Sequence, residues 1–500
     1  MKIKCALNVC LVFAVITCLF STSFAGSNAE SDEKEYFAVF MEGKKVGHAI
    51  QSRAVSDEKV TTSEQVSLTI SRGGVSMTIE MIETSIETTS GEPLGFEATQ
   101  KLGSMAMKVT GRIDKQGMVT MTSSTMGAEQ KSTLQWPQGA LMAEGLRLMT
   151  LKKGLNEGTE YSVKIFSSGI MQAVDTKISI GPEQDIDLLG RVVTLRKVTT
   201  TLIMPGAGEI VSTGYVDRDL KMQKSIIPIA GMQVEMVACA KEFALGENDV
   251  LELIDKMFLK SPEPLSNLAS TKSITYDLSP VKEGADFTIP SNDNQKARRL
   301  DNGKVILKVE PVAAPAGIKF PYEGKDKAVL EALEPTRYLQ SDNEKVIELA
   351  RSAVGGTKDA AEAARKIEAF VADYIENRSL SVGYASAVEV AASRQGDCSE
   401  FAVLTAAMCR AVGIPAQVVA GVAYVDDFMG NRGFGGHAWT QAYIGGKWVG
   451  LDASFKGGGR GGYDAGHIAL AAGNGEPADL FNLAPTLGQF RIDKVTVEKR

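Results

Sequence analysis

The chain has no Lys- and Arg-rich run interleaved with aromatics, and its 54 Lys plus Arg are outnumbered by 61 Asp plus Glu. The broad electrostatic footprint of a nucleic-acid binder is missing, so no nucleic-acid partner is expected. Past the N-terminus, no stretch reaches about 18 apolar residues without a charge, the length a spanning helix needs. There is no internal repeat of roughly 20 to 50 residues and no low-complexity tract, so solenoid and collagen-like readings fall away. Histidine is as scarce as tryptophan, with His48, His437 and His467 the three in 500 residues. Any chemistry that needs an imidazole therefore has three candidates.

What is present looks like ordinary globular protein. Hydrophobic residues make up 44% and charged residues 23%, and a length of 500 residues predicts two or three domains. Lys2 and Lys4 precede an apolar stretch over residues 5–20, followed by Ser23-Phe24-Ala25 and polar Gly26. This is the pattern of a secretory signal peptide cleaved after Ala25, which places the mature chain in the periplasm or outside the cell. Cys5, Cys10 and Cys18 would leave with it, and Cys239, Cys398 and Cys409 would remain. An odd count leaves at least one thiol outside any disulfide within the chain. Cys398 and Cys409 are read on one helix, about 16 Å apart along its axis, too far to pair with each other.

From residue 35 to about 240 the hydrophobic period is two. Val66, Leu68 and Ile70 alternate up to a turn at Gly73-Gly74, and Val75, Met77, Ile79 and Met81 alternate back. That is an antiparallel hairpin, and the region reads as a curved β domain broken by one helical stretch near residues 141–151. Its many methionines sit on the apolar phase as core filler. Residues 248–259 look helical, and Ser261-Pro262-Glu263-Pro264 breaks them off. Strands are expected at 273–278 and 304–309. The period then becomes 3.6, through Val346, Leu349, Ala350 and Ala353, then Ile367, Phe370, Val371 and Tyr374. The domains expected are thus a signal at 1–25, a β-rich domain at 26–260, a small β segment and linker at 261–334, and a core at 335–500 with a C-terminal strand extension.

The chemistry concentrates in that last region. Asp397 with Glu400 three residues on is a capping box, which makes Cys398 the first residue of a helix that closes before Gly413 and Pro415. A helix start favours thiolate over thiol, and its amides, including that of Cys398, can donate to an oxyanion. Gly445-Gly446 between two β-rich runs marks a two-residue hairpin. In its register Trp439 lies opposite Asp452 and His437 opposite Ser454, so His437 and Asp452 share a face within hydrogen-bonding reach. A Cys, a His and an Asp are the parts of a thiol triad.

Arg394-Gln395-Gly396-Asp397-Cys398-Ser399-Glu400, Arg410-Ala411-Val412-Gly413-Ile414-Pro415-Ala416 with Gly421, Gly436-His437-Ala438-Trp439 and Trp448-Val449-Gly450-Leu451-Asp452-Ala453-Ser454-Phe455 together resemble the bacterial transglutaminase-like family. Relatives often carry Pro and Thr where Ala453 and Ser454 follow the Asp. The resemblance implies an α+β protein: N-terminal antiparallel β domain(s), then a papain-like transglutaminase core of helical bundle plus antiparallel sheet. It implies Cys398 as nucleophile, His437 as general base and then acid, and Asp452 as the group that fixes the His tautomer, with no cofactor and no metal. Gln395 and Tyr384 are candidate oxyanion donors, and Trp439 a shield for the thioester. Residues 425–436, with two Asp and four Gly, read as a mobile loop over the cleft and lack calcium-ligand spacing. The function expected is peptidase or amidase action on a protein or peptide through a Cys398 acyl-enzyme. Transfer to an amine, or a non-catalytic binding module on the same fold, are the alternatives. The N-terminal β domain is expected to serve as scaffold or docking surface for a partner in the cell envelope.

Overall fold

The structure is a computed structural model of the whole chain. It describes residues 32–72, 75–102, 105–125, 128–169, 171–204, 208–229, 232–249, 251, 258–281, 287–378, 385–428, 431–475, 486 and 488–500. The expected signal peptide lies outside the described residues. Contacts divide the chain into two compact units, with the sequence boundary after residue 253.

The first unit is a 15-stranded meander, antiparallel except at one edge, where Ala140–Leu141 pairs parallel with Glu160–Ser167. Asp32–Met41 is an inner strand, paired on one side with Lys44–Ser56 and on the other with Met232–Ala238. The sheet runs out to Ala128–Gln135 at one edge and Ala140–Leu141 at the other. Four residues, Trp136 to Gly139, join these two edges. A link that short reaches about 17 Å, whereas fifteen strands laid flat would span about 67 Å. The sheet must therefore curl until its edges approach. It does: Phe96, Val109 and Val119 from one flank pack with Ala140, Met142 and Phe166 from the other, and the Phe96 and Phe166 rings lie 5.1 Å apart.

In the second unit we label the elements that frame the site. Strands β1 (Thr271–Pro280), β2 (Gln295–Arg299) and β3 (Val305–Val309) precede helices α1 (Glu344–Val354), α2 (Ala360–Tyr374), α3 (Ala387–Ser393) and α4 (Cys398–Ala411). Then come β4 (Ala416–Phe428), β5 (Asn431–Ile444), β6 (Lys447–Leu451), α5 (Ala453–Gly457), β7 (His467–Gly473) and β8 (Phe490–Lys499). One sheet orders β2, β3, β1 and β8; another places β5 beside β4 and β4 beside β7, with β6 on the far side of β5. Helix α4 is buried on every side from Cys398 to Arg410, as an almost uniformly apolar sequence requires. It packs on α1, α2, α3, β4 and β5, so the residue at its start is fixed from several directions.

The second unit is an α+β arrangement of helical bundle and antiparallel sheet, and follows the β-rich N-terminal region in sequence. The helix expected over residues 248–259 lies mostly outside the described residues; at its described end, Leu259–Lys260 is a strand paired with Phe434 and Gly433 of β5. Residues 252–257 lie outside the described set.

Candidate active site

Asp397 caps α4, its Oδ1 accepting from the Ser399 N–H at 3.2 Å and the Ser399 hydroxyl at 3.0 Å. Glu400 reaches back to accept from the Asp397 N–H at 2.9 Å and from the Ala385 N–H at 2.9 Å. This is the reciprocal box expected from the spacing, and it starts the helix at Cys398. Burial, then the adjacent Asp397 charge, hold the Glu400 carboxyl well above the usual range. Cys398 is buried and in no disulfide. Cys409, three turns on, is pushed up to about 12, chiefly by burial and further by the charge of Glu368.

His437 and Asp452 are brought together by the β5–β6 hairpin. Gly445 and Gly446, at φ 60° and 86°, form the two-residue turn, and both positions need the left-handed region that glycine enters without strain. Pairing runs from Ile444 with Lys447 to Thr440 with Leu451, a register that continues to Trp439 opposite Asp452. There the strand ends. Asp452 becomes the N-cap of α5, its Oδ1 accepting from the Phe455 N–H at 3.0 Å. The expectation of His437 opposite Ser454 is therefore corrected, because Ser454 lies in α5. The turn into α5 lays the Phe455 ring against His437, centroids 4.3 Å apart.

Asp452 Oδ2 lies 2.8 Å from His437 Nε2, and both side chains are 1% exposed. An ionised carboxylate only accepts, so Nε2 carries the hydrogen and the neutral ring keeps its lone pair on Nδ1. Nδ1 is buried with no hydrogen-bond partner among the described residues. Burial lowers the pKa of His437; Asp452 pulls it up, and the charges of His467 and Arg460 push it down again, with a net lowering. Helix α4 packs on β5, and the Thr440 hydroxyl donates to the Ala402 carbonyl at 2.9 Å, one turn along α4 from Cys398.

The sequence analysis missed His467. Its Nε2 lies 3.0 Å from the same Asp452 Oδ2, and its Nδ1 lies 3.0 Å from the Asp464 carbonyl and 3.1 Å from Asp464 Oδ1. Arg460 closes the row, its Nη2 3.2 Å from Asp464 Oδ2 and its guanidinium over the Phe455 ring. Burial disfavours charge on His467, but Asp464 and Asp452 outweigh it and hold the imidazole up to about 9. Burial likewise opposes charge on Asp452, yet the two imidazoles hold its carboxyl far below the usual range. The legible signal was Asp464 three residues before His467. His437, Asp452 and His467 offer ligand-type atoms within 4.8 Å of one another. His437 Nε2 and His467 Nε2 both bond Asp452 Oδ2, so we read a hydrogen-bonded row and assign no metal.

The remaining expected residues scatter. Trp439 is buried, its ring near-parallel to His437 at 6.1 Å and edge-on to His467 at 5.2 Å. Gln395 is half-buried between α3 and α4, bridged to Asn377, its N–H donating to the Ser393 hydroxyl at 3.4 Å. Tyr384 lies outside the described residues. Residues 425–436 are not the expected loop: β4 runs to Phe428 and β5 starts at Asn431, pairing Val425 with Gly433 and Phe428 with Asn431. Tyr424 and Phe434 anchor this hairpin as buried partners, rings 5.4 Å apart.

Residues 347–453 match the family model of the transglutaminase-like superfamily. No curated protein matches the chain. Among solved structures, a proposed cysteine protease from Cytophaga hutchinsonii is 21% identical, with 46% of this chain and 85% of that one covered at a TM-score of 0.30. A β-barrel-like protein of a domain of unknown function from Brucella abortus is 13% identical, with 42% and 95% covered at 0.32. The periplasmic domain of TgpA from Pseudomonas aeruginosa is 16% identical, with 40% and 75% covered at 0.25.

Proposed function

We propose that the transglutaminase-like domain of this chain is a thiol enzyme that cleaves an amide of a protein or peptide through an acyl-enzyme on Cys398. The observation that carries the reading is the bare, buried Nδ1 of His437 on a ring whose other nitrogen is tied to Asp452. That is the tautomer a general base needs. In the proposed reaction His437 Nδ1 takes the Cys398 proton as sulfur bonds to the carbonyl carbon. The oxyanion forms against the positive end of α4. The tetrahedral adduct collapses, the C–N bond breaks, and the leaving amine takes the proton from His437. Water, deprotonated by the same nitrogen, then attacks the thioester and releases Cys398. An amine in place of water gives acyl transfer.

Limiting iodoacetamide should label Cys398 ahead of Cys239 and Cys409, and His437→Ala should slow that labelling at least tenfold. Equal labelling of the three thiols, or no effect of His437→Ala, would overturn the reading in favour of a binding module. Supplying a peptide amide with and without a primary amine, and weighing the products, separates hydrolysis from transfer. We also propose export with cleavage after Ala25, which the intact mass of the secreted protein checks.

A further inference from the structure

His467 is as deeply buried as the proposed triad, at 0% exposed, yet the triad mechanism makes no use of it. Its Nε2 faces a carboxylate oxygen of Asp452, and its Nδ1 faces the carbonyl and carboxylate oxygens of Asp464. The Asp464 N–H also lies 3.3 Å from Nδ1, farther than either oxygen. Oxygens of carboxylate and carbonyl type accept, so both ring nitrogens need hydrogens and the ring is an imidazolium. Charges then alternate along the row: half-buried Arg460 positive, then buried Asp464 negative, His467 positive and Asp452 negative, with His437 at the end.

We propose that His467 is a positioning residue which, as a fixed cation paired to Asp464, shares the Asp452 carboxylate with His437 and thereby keeps His437 a neutral base. This deepens, and rests on, the assignment of His437 as the base for Cys398. A carboxylate that serves one imidazole alone stabilises that imidazole's charge in full. Here the same oxygen already neutralises His467, so it stabilises a proton on His437 less. The depressed pKa of His437, with His467 among its causes, agrees in direction.

The other groups facing the row are few. From α2, Glu368 accepts from the Asp452 N–H at 2.8 Å and pairs with Lys456 at 3.1 Å. The Arg378 guanidinium feels the Asp452 charge, and the buried Tyr463 ring lies 4.7 Å from His467. Glu368 is raised, mainly by burial, and Tyr463 is raised likewise.

The test uses the chain's three histidines. Protein carrying 15N-labelled histidine should show both His467 ring nitrogens protonated at pH 7, while His437 shows one protonated and one bare nitrogen. His467→Gln keeps a donor to Asp452 but removes the charge, and Asp464→Asn removes the counter-charge that fixes it. Each should move the His437 titration midpoint to higher pH, and the acid limb of Cys398 alkylation with it. A His467 ring with one bare nitrogen at pH 7 would overturn the proposal. So would an unchanged His437 midpoint in either folded variant. Should neither variant fold, the wild-type spectrum decides alone. These readouts need no turnover, so failure of the proposed enzyme activity, read from labelling of Cys398, remains distinguishable.

Discussion

At the scale of single residues, the row from Arg460 to His437 makes stability depend on alkaline pH. His467 is held up to about 9 in the folded protein against 6.5 for the free side chain. A raised basic pKa contributes stability that is fully present below pH 6.5 and is lost as pH rises through about 9. The contribution is about 3 kcal/mol, so urea midpoints of the second unit should fall between pH 6.5 and 9.5, and His467→Gln should flatten that slope. His467 was not legible as part of the site. It opens the run Ile468-Ala469-Leu470-Ala471, and beyond the nearby Asp464 an apolar strand does not show that its first residue turns a ring toward Asp452, about 50 Å back along an extended chain. Cys398, His437 and Asp452 were legible as candidates because capping, hairpin register and chain order each point to chemistry independently.

Elements carry the geometry that residues use. In the β5–β6 turn a Cβ on Gly445 would sit 2.5 Å from Pro315 Cγ, whereas one on Gly446 meets nothing within 4 Å. Both are at positive φ, which alone costs roughly 1–2 kcal/mol for an L side chain. Gly446→Ala should lose about that much by urea unfolding and keep its labelling rate, whereas Gly445→Ala should lose more. At the start of α4, Asp397→Ala should lose about 1–2 kcal/mol and slow alkylation of Cys398, because the first turn loosens. Capping and the Gly-Gly turn are local codes and could be read directly. The end of β6 could not: Asp452-Ala453-Ser454-Phe455 alternates like a strand, and only the Asp452 cap and the seat of Phe455 against His437 decide for helix. The hairpin at 425–436 was misread for the opposite reason, since its glycines suggest a loop while Tyr424 and Phe434 fix a ladder.

For the whole molecule, two cores predict two melting transitions. Phe490 and Ile492 of β8 are buried, and the Phe490 ring stacks on Phe287 at 5.4 Å. Deleting residues 489–500 removes these contacts, each large apolar side chain contributing about 3–5 kcal/mol. The second unit should then lose its transition and become protease-sensitive, while the first melts as before; scanning calorimetry and limited proteolysis check this. That β8 completes the sheet of β1 was beyond sequence reading, because pairing across so much chain leaves no periodic trace.

That same long-range pairing recurs in the first unit, where Phe37 meets Ala238, as Thr275 meets Thr496 in the second. Each pair is separated by roughly 200 residues, so at about 5–20 residues per second of synthesis the early strand waits on the order of 10–40 s for its partner. During that wait its unpaired amides and carbonyls are open to any passing strand. Production of this protein should therefore depend on whatever shields nascent chains, and slowed elongation should lower its soluble yield more than that of a protein of equal length built from neighbouring contacts.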